Sequence, residues 1–195
     1  VIRSGKPGMF IAGADLREFA AAPDMPKAEV IAVASHGRQL FERLTRAPFV
    51  SVAAIDGPCL GGGCELALWC DRRLVGDSPK AQIGLPEVKL GMFPGWGGTV
   101  RLPRIVGLSN AIELITGGES IDGRSAALMG LATDVAPSAK LDAAAIQLIR
   151  AEQQTRAYLD DRRRWSQPLA TNETELAFLA AAAAGYIQQQ IGRAQ

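Results

Sequence analysis

Apolar and polar positions follow one another along the chain in a pattern that predicts short buried strands separated by helices. Residues 49–55 form an apolar run rich in β-branched side chains, which predicts a buried strand, and an Asp-Gly-Pro turn at 56–58 ends it. Three glycines follow at 61–63, and residues 64–70 are then apolar at nearly every position, too uniformly for a surface helix. The predicted order is strand, glycine loop and buried helix.

Strands and helices are predicted to alternate on both sides of this stretch. Residues 30–44 repeat apolar side chains at helical spacing between charged ones, which predicts an amphipathic helix of about five turns laid on the core. Residues 73–75 predict a further short strand. This alternation predicts an α/β fold, although periodicity alone does not distinguish one α/β architecture from another.

The second half of the chain is predicted to be mainly helical. We expect a helix over 109–116 closed by Gly117, a helix from Asp122 to near Gly130, a brief strand over 131–135, a helix over 140–165 and an alanine-rich helix over 173–191. The basic run at 162–164 is interpreted as a solvated helix end. The last helix carries five large apolar side chains that are expected to be buried against the core or a neighbouring subunit, namely Leu176, Phe178, Leu179, Tyr186 and Ile187.

The glycine loop has the features of an anion or oxyanion site. Glycines let the backbone approach a ligand, and the start of the following helix leaves N–H groups without intrahelical partners. Cys64 and Glu65 follow the glycines, where a phosphate loop needs Lys and Ser or Thr, and no dinucleotide-binding fingerprint is completed. The alternative is that the glycines only permit tight packing and that Glu65 only complements the helix dipole, worth roughly 0.3–1 kcal/mol.

Composition narrows the possible chemistry. The net charge of +1 gives no reason to expect nucleic acid or an acidic membrane surface, and no apolar run has the length of a membrane span. Three cysteines without a C-x-x-C pair argue against a disulfide framework or a zinc site and fit a reducing compartment, so we expect a cytoplasmic protein, or a mitochondrial matrix protein in a eukaryote. With His36 as the single histidine, acid–base chemistry must come from carboxylates.

Two further motifs favour the functional interpretation of the glycine loop over the purely structural one. One is Ala12-Gly13-Ala14-Asp15, and the other runs from Pro86-Glu87 through the glycines at 91, 95, 97 and 98 to Leu102. With the glycine loop and Glu65, these motifs resemble those of the enoyl-CoA hydratase/isomerase (crotonase) superfamily, in the same order and at similar spacing. The amino-acid sequence of residues 84–104 is most similar to that of the hydratase half of the multifunctional fatty-acid β-oxidation enzymes.

The resemblance implies a fold and a division of the chain. It implies a ββα superhelix of the crotonase type over residues 1–137, incomplete at its N-terminus, and a C-terminal helical segment over 138–195 that packs on the core or on a neighbouring subunit. Members of the family begin with at least one more ββα turn before the Ala-Gly-Ala-Asp motif, so the chain is expected to be a fragment of a longer protein.

The resemblance also implies a site and a reaction. The substrate is an acyl-CoA thioester, with the N–H groups of Ala14 and Gly62 as the oxyanion hole. Glu65 is expected to orient and activate water, and Glu87 to exchange a proton at the α carbon. The remaining substrate contacts are expected from Ala12, Asp15, Leu16 and Gly61. Asp15 and Glu18 also have the spacing of a helix-capping pair, and this structural role of Asp15 is favoured over a catalytic one.

The implied function is hydration of 2-enoyl-CoA in fatty-acid β-oxidation, without a metal or redox cofactor, since CoA arrives as part of the substrate. One alternative is isomerisation of 3-enoyl-CoA to 2-enoyl-CoA, which needs only one shuttling carboxylate. Another is a non-catalytic assembly scaffold, which the presence of both glutamates makes less favoured. As partners we expect a homo-oligomer or a multifunctional β-oxidation complex.

Overall fold

The computed structural model describes residues 1–15 and 25–193, with side chains up to residue 188. The strands of this part are β1 (Val52–Ile55), β2 (Cys59–Leu60), β3 (Arg72–Gly76), β4 (Gln82–Gly84), β5 (Ser120–Asp122) and β6 (Asp134–Ala136). The helices are α1 (Lys27–Glu42), α2 (Gly62–Trp69), α3 (Gly98–Val106), α4 (Leu108–Gly117), α5 (Gly123–Leu128), α6 (Leu141–Thr155), α7 (Ala157–Ser166) and α8 (Glu173–Arg193). Short 3-10 turns cover Arg43–Arg46, Pro86–Leu90 and Ser138–Lys140.

The strands form two small sheets that the chain visits in turn. The first sheet has the order β1-β3-β6, and its strands are parallel. In the second sheet β4 lies between β2 and β5, parallel to β2 and antiparallel to β5. The chain passes from β1 to β2 and then α2, and from β3 to β4 and then the next helices. This repeated strand–strand–helix order confirms the predicted α/β architecture.

The main core lies between the sheets and α2. Every residue of β1 and β3 is buried, as expected for parallel strands covered on both faces. The largest fully buried apolar side chains include Phe10, Ile55, Leu68, Ile83 and Leu102. The glycine loop therefore starts from a rigid base, because its flanking strand and helix are both fixed in this core.

Helix α1 corrects one prediction. It forms where the apolar periodicity places it, but it contains no buried residue, so the expectation that it is laid on the core is wrong. Its apolar side chains Val30, Ile31 and Val33 are 41–54% exposed. The helix instead contacts the half-buried Trp96 ring, at Gly37, where a Cβ would lie 2.5 Å from it, and at Phe41, whose ring lies edge-on at 5.7 Å.

The C-terminal region corrects the prediction of one helix over 140–165. The chain breaks at Arg156, which has φ 58° in the left-handed region, and α7 starts directly after it. The prediction that the basic run 162–164 is solvated is wrong for Arg162. Its guanidinium binds both carboxylate oxygens of the buried Asp71, at 2.6 and 2.7 Å, and donates to the carbonyl of Ala47 at 2.8 Å.

Smaller shifts concern element ends. The strand predicted over 131–135 forms at Asp134–Ala136, and α4 is closed by Gly118 in the left-handed conformation instead of Gly117. Asp122 caps α5 as predicted, because its side chain accepts from Ser125 N at 2.7 Å.

Helix α8 packs against α4 and the turn Pro86–Leu90 of the same chain. Leu179 is buried there, whereas Phe178 is 73% exposed, and Leu176 and Tyr186 are also exposed on this chain. The division of the chain into a core over residues 1–137 and a C-terminal segment over 138–195 remains a prediction. In the described part of the chain, no helix combines the length and the apolar character that crossing a membrane requires.

Candidate active site

The glycine loop joins β2 to α2 and fixes the first turn of that helix. Gly61 lies at φ 54°, which favours glycine, and it immediately precedes the first helical residue. Its N–H donates to Gly84 O at 3.0 Å, and its carbonyl accepts from Glu65 N at 2.9 Å. A Cβ at Gly63 would lie 2.1 Å from Ile11 O, so close packing as well as conformation requires glycine in this loop.

The segment that carries the Ala-Gly-Ala-Asp motif runs beside the loop. Leu60 N donates to Ile11 O at 2.9 Å, which holds the segment against β2. Gly13, at φ 105°, places its Cα 3.6 Å from the position that a Cβ on Gly61 would occupy. Two motifs that are about fifty residues apart in the sequence therefore meet backbone to backbone.

Two backbone N–H groups at this junction belong to the predicted oxyanion hole. Gly62 is the first residue of α2, so its N–H has no intrahelical partner. Within the described residues, neither this N–H nor that of Ala14 donates a hydrogen bond to the protein. The structure thus brings together the segments of the predicted oxyanion hole, whose role stays a prediction. Ala12 and Asp15 lie on the same segment, and Leu16 lies outside the described residues.

Glu65 is held by the backbone of the loop that precedes α3. The side chain is on the first turn of α2 and is 3% exposed. Its Oε1 accepts from Trp96 N at 2.7 Å and from Gly98 N at 2.8 Å. Burial raises the pKa of Glu65, and these N–H groups oppose the rise because they stabilise the carboxylate.

Glu87 lies on the 3-10 turn Pro86–Leu90, a different element from the helix that carries Glu65. Pro86 starts the 3-10 turn, and the half-buried Glu87 follows it. Glu87 Oε1 is 3.3 Å from the position of a Cβ on Gly61, and Oε2 is buried without a hydrogen-bond partner in the described structure. Burial raises the pKa of Glu87 to about 7, its own backbone N–H lowers it, and the negative charge of Glu65 raises it further.

The arrangement can perform acid–base chemistry beside a developing negative charge. Glu87 approaches the glycine loop at Gly61, Glu65 lies on the first turn of the helix that follows this loop, and the negative charge of Glu65 acts on Glu87. Near neutral pH one can carry a proton while the other remains ionised, as pairs of carboxylates in different environments do. In the predicted oxyanion hole, the donors would be the N–H groups of Ala14 on the N-terminal segment and Gly62 on the loop.

The sequence placed the loop 96–98 in a motif but did not reveal that its N–H groups hold Glu65. Gly97 has φ 120° and the Trp96 ring packs on Gly62, where a Cβ would lie 2.6 Å from Cζ3. The signal that could have found the loop is its run of glycines around a tryptophan, since glycines allow a backbone to approach a carboxylate closely.

The other candidate groups take no part in this arrangement. His36, the single histidine, is exposed on α1. Cys59, Cys64 and Cys70 are buried and free. Burial raises the pKa of Cys70 to about 12 and that of Cys59 well above its ordinary value, so these thiols are poor nucleophiles.

A two-sheet ββα core with a glycine loop between a short strand and a buried helix is the architecture of a crotonase-type protein. The family model for enoyl-CoA hydratase/isomerase matches residues 1–160 of the chain. The chain therefore belongs to the enoyl-CoA hydratase/isomerase family.

Named relatives agree with this assignment. The chain is 49% identical over 131 residues to the fatty acid oxidation complex subunit alpha of Aliivibrio fischeri, a match that covers 67% of this chain and 19% of the relative. The same subunit of Vibrio campbellii is 48% identical over 141 residues, covering 72% of this chain and 20% of the relative. The matched part thus spans about a fifth of the length of these curated relatives.

Solved structures confirm the crotonase fold. An enoyl-CoA hydratase from Bacillus anthracis superposes with a TM-score of 0.73 at 32% identity, covering 96% of this chain and 71% of that one. The human mitochondrial delta3-delta2-enoyl-CoA isomerase superposes with a TM-score of 0.72 at 24% identity, covering 99% of this chain and 72% of that one, which shows the fold alone.

Proposed function

We propose that this site adds water across the double bond of a 2-enoyl-CoA thioester in fatty-acid β-oxidation. The observation that carries the proposal is a pair of buried or half-buried carboxylates beside the glycine loop: Glu87 Oε1 lies against Gly61, and Glu65 stands on the first turn of the helix that follows the loop. Burial raises the pKa of each of them. The likeness to fatty acid oxidation complex subunits and to an enoyl-CoA hydratase supports this reaction.

The oxyanion hole is assigned to the N–H groups of Ala14 and Gly62. Attack of water on the unsaturated thioester passes through an enolate-like state, in which negative charge collects on the thioester oxygen. Fixed N–H donors stabilise that charge without reorganising, and the loss of one such donor typically costs roughly 10²–10³ in rate. Ala12, Asp15, Leu16 and Gly61 are proposed to line the substrate around this oxygen.

The two glutamates divide the proton transfers. Glu65, held by two backbone N–H groups, stays ionised, orients the water and accepts its proton as the oxygen bonds to the β carbon. Glu87, whose pKa is about 7, carries the proton that is delivered to the α carbon. A proton then returns from Glu65 to Glu87, directly or through solvent, and the pair shares these roles as a coupled unit.

The CoA arm is proposed to enter along the N-terminal segment. A groove of about 360 Å³ runs along Ser4, Lys6 and residues 9–13 and ends at the Ala-Gly-Ala-Asp motif. Its lining combines the Lys6 cation and the Ser4 hydroxyl with apolar side chains. We propose that no metal or redox cofactor is needed, because hydration transfers only a proton and a hydroxyl group.

The proposed setting is a multifunctional β-oxidation complex or a homo-oligomer in the cytoplasm, or in the matrix of a mitochondrion. The names of the curated relatives support the complex, and the exposed Phe178 and Leu176 on α8 support a covered surface there. Light scattering at micromolar concentration tests this setting, and a monomeric mass for the full-length protein would count against a homo-oligomer.

The function is tested by incubating the purified protein with crotonyl-CoA, with a longer 2-enoyl-CoA and with a 3-enoyl-CoA. We expect loss of the conjugated thioester absorbance with the first two and a 3-hydroxyacyl-CoA product by mass spectrometry. Appearance of conjugation from the 3-enoyl-CoA without any hydration would favour the isomerase instead. No reaction with any of the three would favour the non-catalytic scaffold.

A further inference from the structure

Trp69 lies one helical turn after Glu65 on the same face of α2, and it contacts the same loop. Its Nε1 donates to Trp96 O at 2.7 Å, and the side chain is buried. The ring also packs against Gly97, where a Cβ would lie 2.5 Å from Nε1. Glu65 binds the N–H of Trp96 while Trp69 binds its carbonyl, so two side chains of one helix hold the two backbone groups of one residue.

We propose that Trp69 is a positioning residue for the catalytic carboxylate. It fixes the loop 96–98 so that the N–H groups of Trp96 and Gly98 point at Glu65 Oε1 and hold that carboxylate in one orientation toward the water. This inference rests on the proposed function of Glu65. It adds a residue that does not touch the substrate but acts through the loop.

The Trp69 ring is itself held in one orientation. The guanidinium of Arg101 stacks on it at 4.8 Å and on the Trp165 ring at 5.0 Å, and Arg101 Nε donates to Leu68 O at 3.2 Å. Trp165 provides a matched control. It belongs to the same stack and is buried, but its Nε1 has no hydrogen-bond partner in the described structure.

The hydrogen bond to Trp96 O has a consequence for acid–base behaviour. The N–H groups of the loop lower the pKa of Glu65 against the larger effect of burial. If the loop is loosened, these N–H groups stabilise the carboxylate less and the pKa of Glu65 rises. Glu87 is the charged group that faces Glu65, and it stays unchanged in the test. The acid limb of the kcat/KM profile should therefore move to higher pH.

The test compares W69F with W165F, each of which keeps an aromatic ring and removes an indole N–H. For W69F we expect kcat to fall about tenfold, since the part-buried carbonyl of Trp96 loses its donor, with KM within about twofold and the acid limb shifted to higher pH. For W165F we expect kcat and the acid limb to stay at wild-type values, even if the melting temperature falls. A W69F variant with wild-type kcat and an unshifted acid limb overturns the inference, as does an equal effect of W165F.

A second measurement needs neither turnover nor a variant of Trp69. In the nitrogen–proton spectrum of the wild-type protein, the Trp69 indole N–H should titrate together with Glu65, and this titration should vanish in E65Q. The Trp165 indole N–H should not titrate with Glu65. If the Trp69 indole titrates with Glu65 in a protein that hydrates no enoyl-CoA, the positioning role of Trp69 is supported and the proposed function is contradicted. If the Trp69 indole signal does not change when Glu65 titrates, the positioning role is overturned, whether or not the protein is a hydratase.

Discussion

Replacing Glu87 by Gln should remove activity and at the same time stabilise the protein at alkaline pH. The carboxylate stands at the glycine loop with Oε2 buried and unpaired in the described structure. An ionised group in such a place costs free energy that an amide of the same shape does not. The stability gained by the substitution should therefore depend on pH in a way that follows from the pKa of Glu87.

The magnitude follows from proton linkage. The pKa of Glu87 is about 7 in the folded protein against an ordinary value of 4.5, chiefly because of burial. An acid whose pKa is raised by folding favours the folded state below its unfolded pKa, and this advantage is lost as pH rises through the folded pKa. Between pH 5 and pH 8 the loss is about 2.5 kcal/mol for a fully shielded group. Because Glu87 is only partly buried, solvent screening reduces the expected value to about 1–2 kcal/mol.

The assay is urea unfolding of the wild-type protein and E87Q at pH 5 and pH 8, followed by tryptophan fluorescence and circular dichroism. The quantity to compare is the change with pH of the difference in unfolding free energy, because this cancels any constant effect of the amide. E113Q is the control, since Glu113 is exposed on α4. Its stability should run parallel to that of the wild type across this pH range.

A raised pKa of Glu87 is refuted if E87Q gains no more stability at pH 8 than at pH 5. A constant difference would mean that Glu87 is as well solvated in the folded protein as in the unfolded chain. The carboxylate would then have no raised pKa and could not carry a proton near neutral pH, so its assignment as the general acid would fail with it.

Three further predictions follow from the same structure. E65Q and E87Q should each lower kcat on a 2-enoyl-CoA by about 10²–10⁴ with much less change in KM; near-native turnover in both would remove the catalytic assignment. The kcat/KM of the wild type should fall above an apparent pKa of about 7, because Glu87 must hold its proton, and a flat profile from pH 5 to pH 9 would contradict this role. R162M should lower the unfolding free energy by about 3–5 kcal/mol, because it leaves the buried Asp71 carboxylate without its ion-pair partner, although Ser51 still donates to Oδ2, while R163M should stay within about 0.5 kcal/mol. Equal effects of the two arginine variants in urea would show that the Arg162 pair is not buried in solution.

The features that could be predicted from the sequence are those set by neighbouring residues. Asp122 caps the helix that starts after it, and Pro86 opens a first turn with an acid inside it, because both effects act within three or four residues. The glycine loop between a buried strand and a buried helix belongs to the same class. The residue types alone exclude most other backbone conformations there.

The features that could not be predicted depend on partners far along the chain. Arg162 and Asp71 are 91 positions apart, and a basic run at the end of a helix has the same sequence pattern whether it is solvated or paired with a buried carboxylate. Arg156 takes a left-handed conformation that favours glycine, so nothing in its residue type announces the break before α7. The loop that binds Glu65 follows it by about thirty residues, and only the fold brings its N–H groups to the carboxylate.

The short helix α2 explains how the chain tolerates a desolvated carboxylate and open N–H groups at one place. Eight residues are too few for a helix to be stable alone. The carbonyls at the C-terminus of α2 have no partners within the helix, and they are buried with it. Arg73 donates to Cys70 O at 3.0 Å and Arg101 to Leu68 O at 3.2 Å. Burial lowers the pKa of each arginine to about 10, so both stay cationic at neutral pH and complement the negative end of the dipole. Because these cations fix the end of the helix that does no chemistry, the polar groups at its other end can remain available to a substrate.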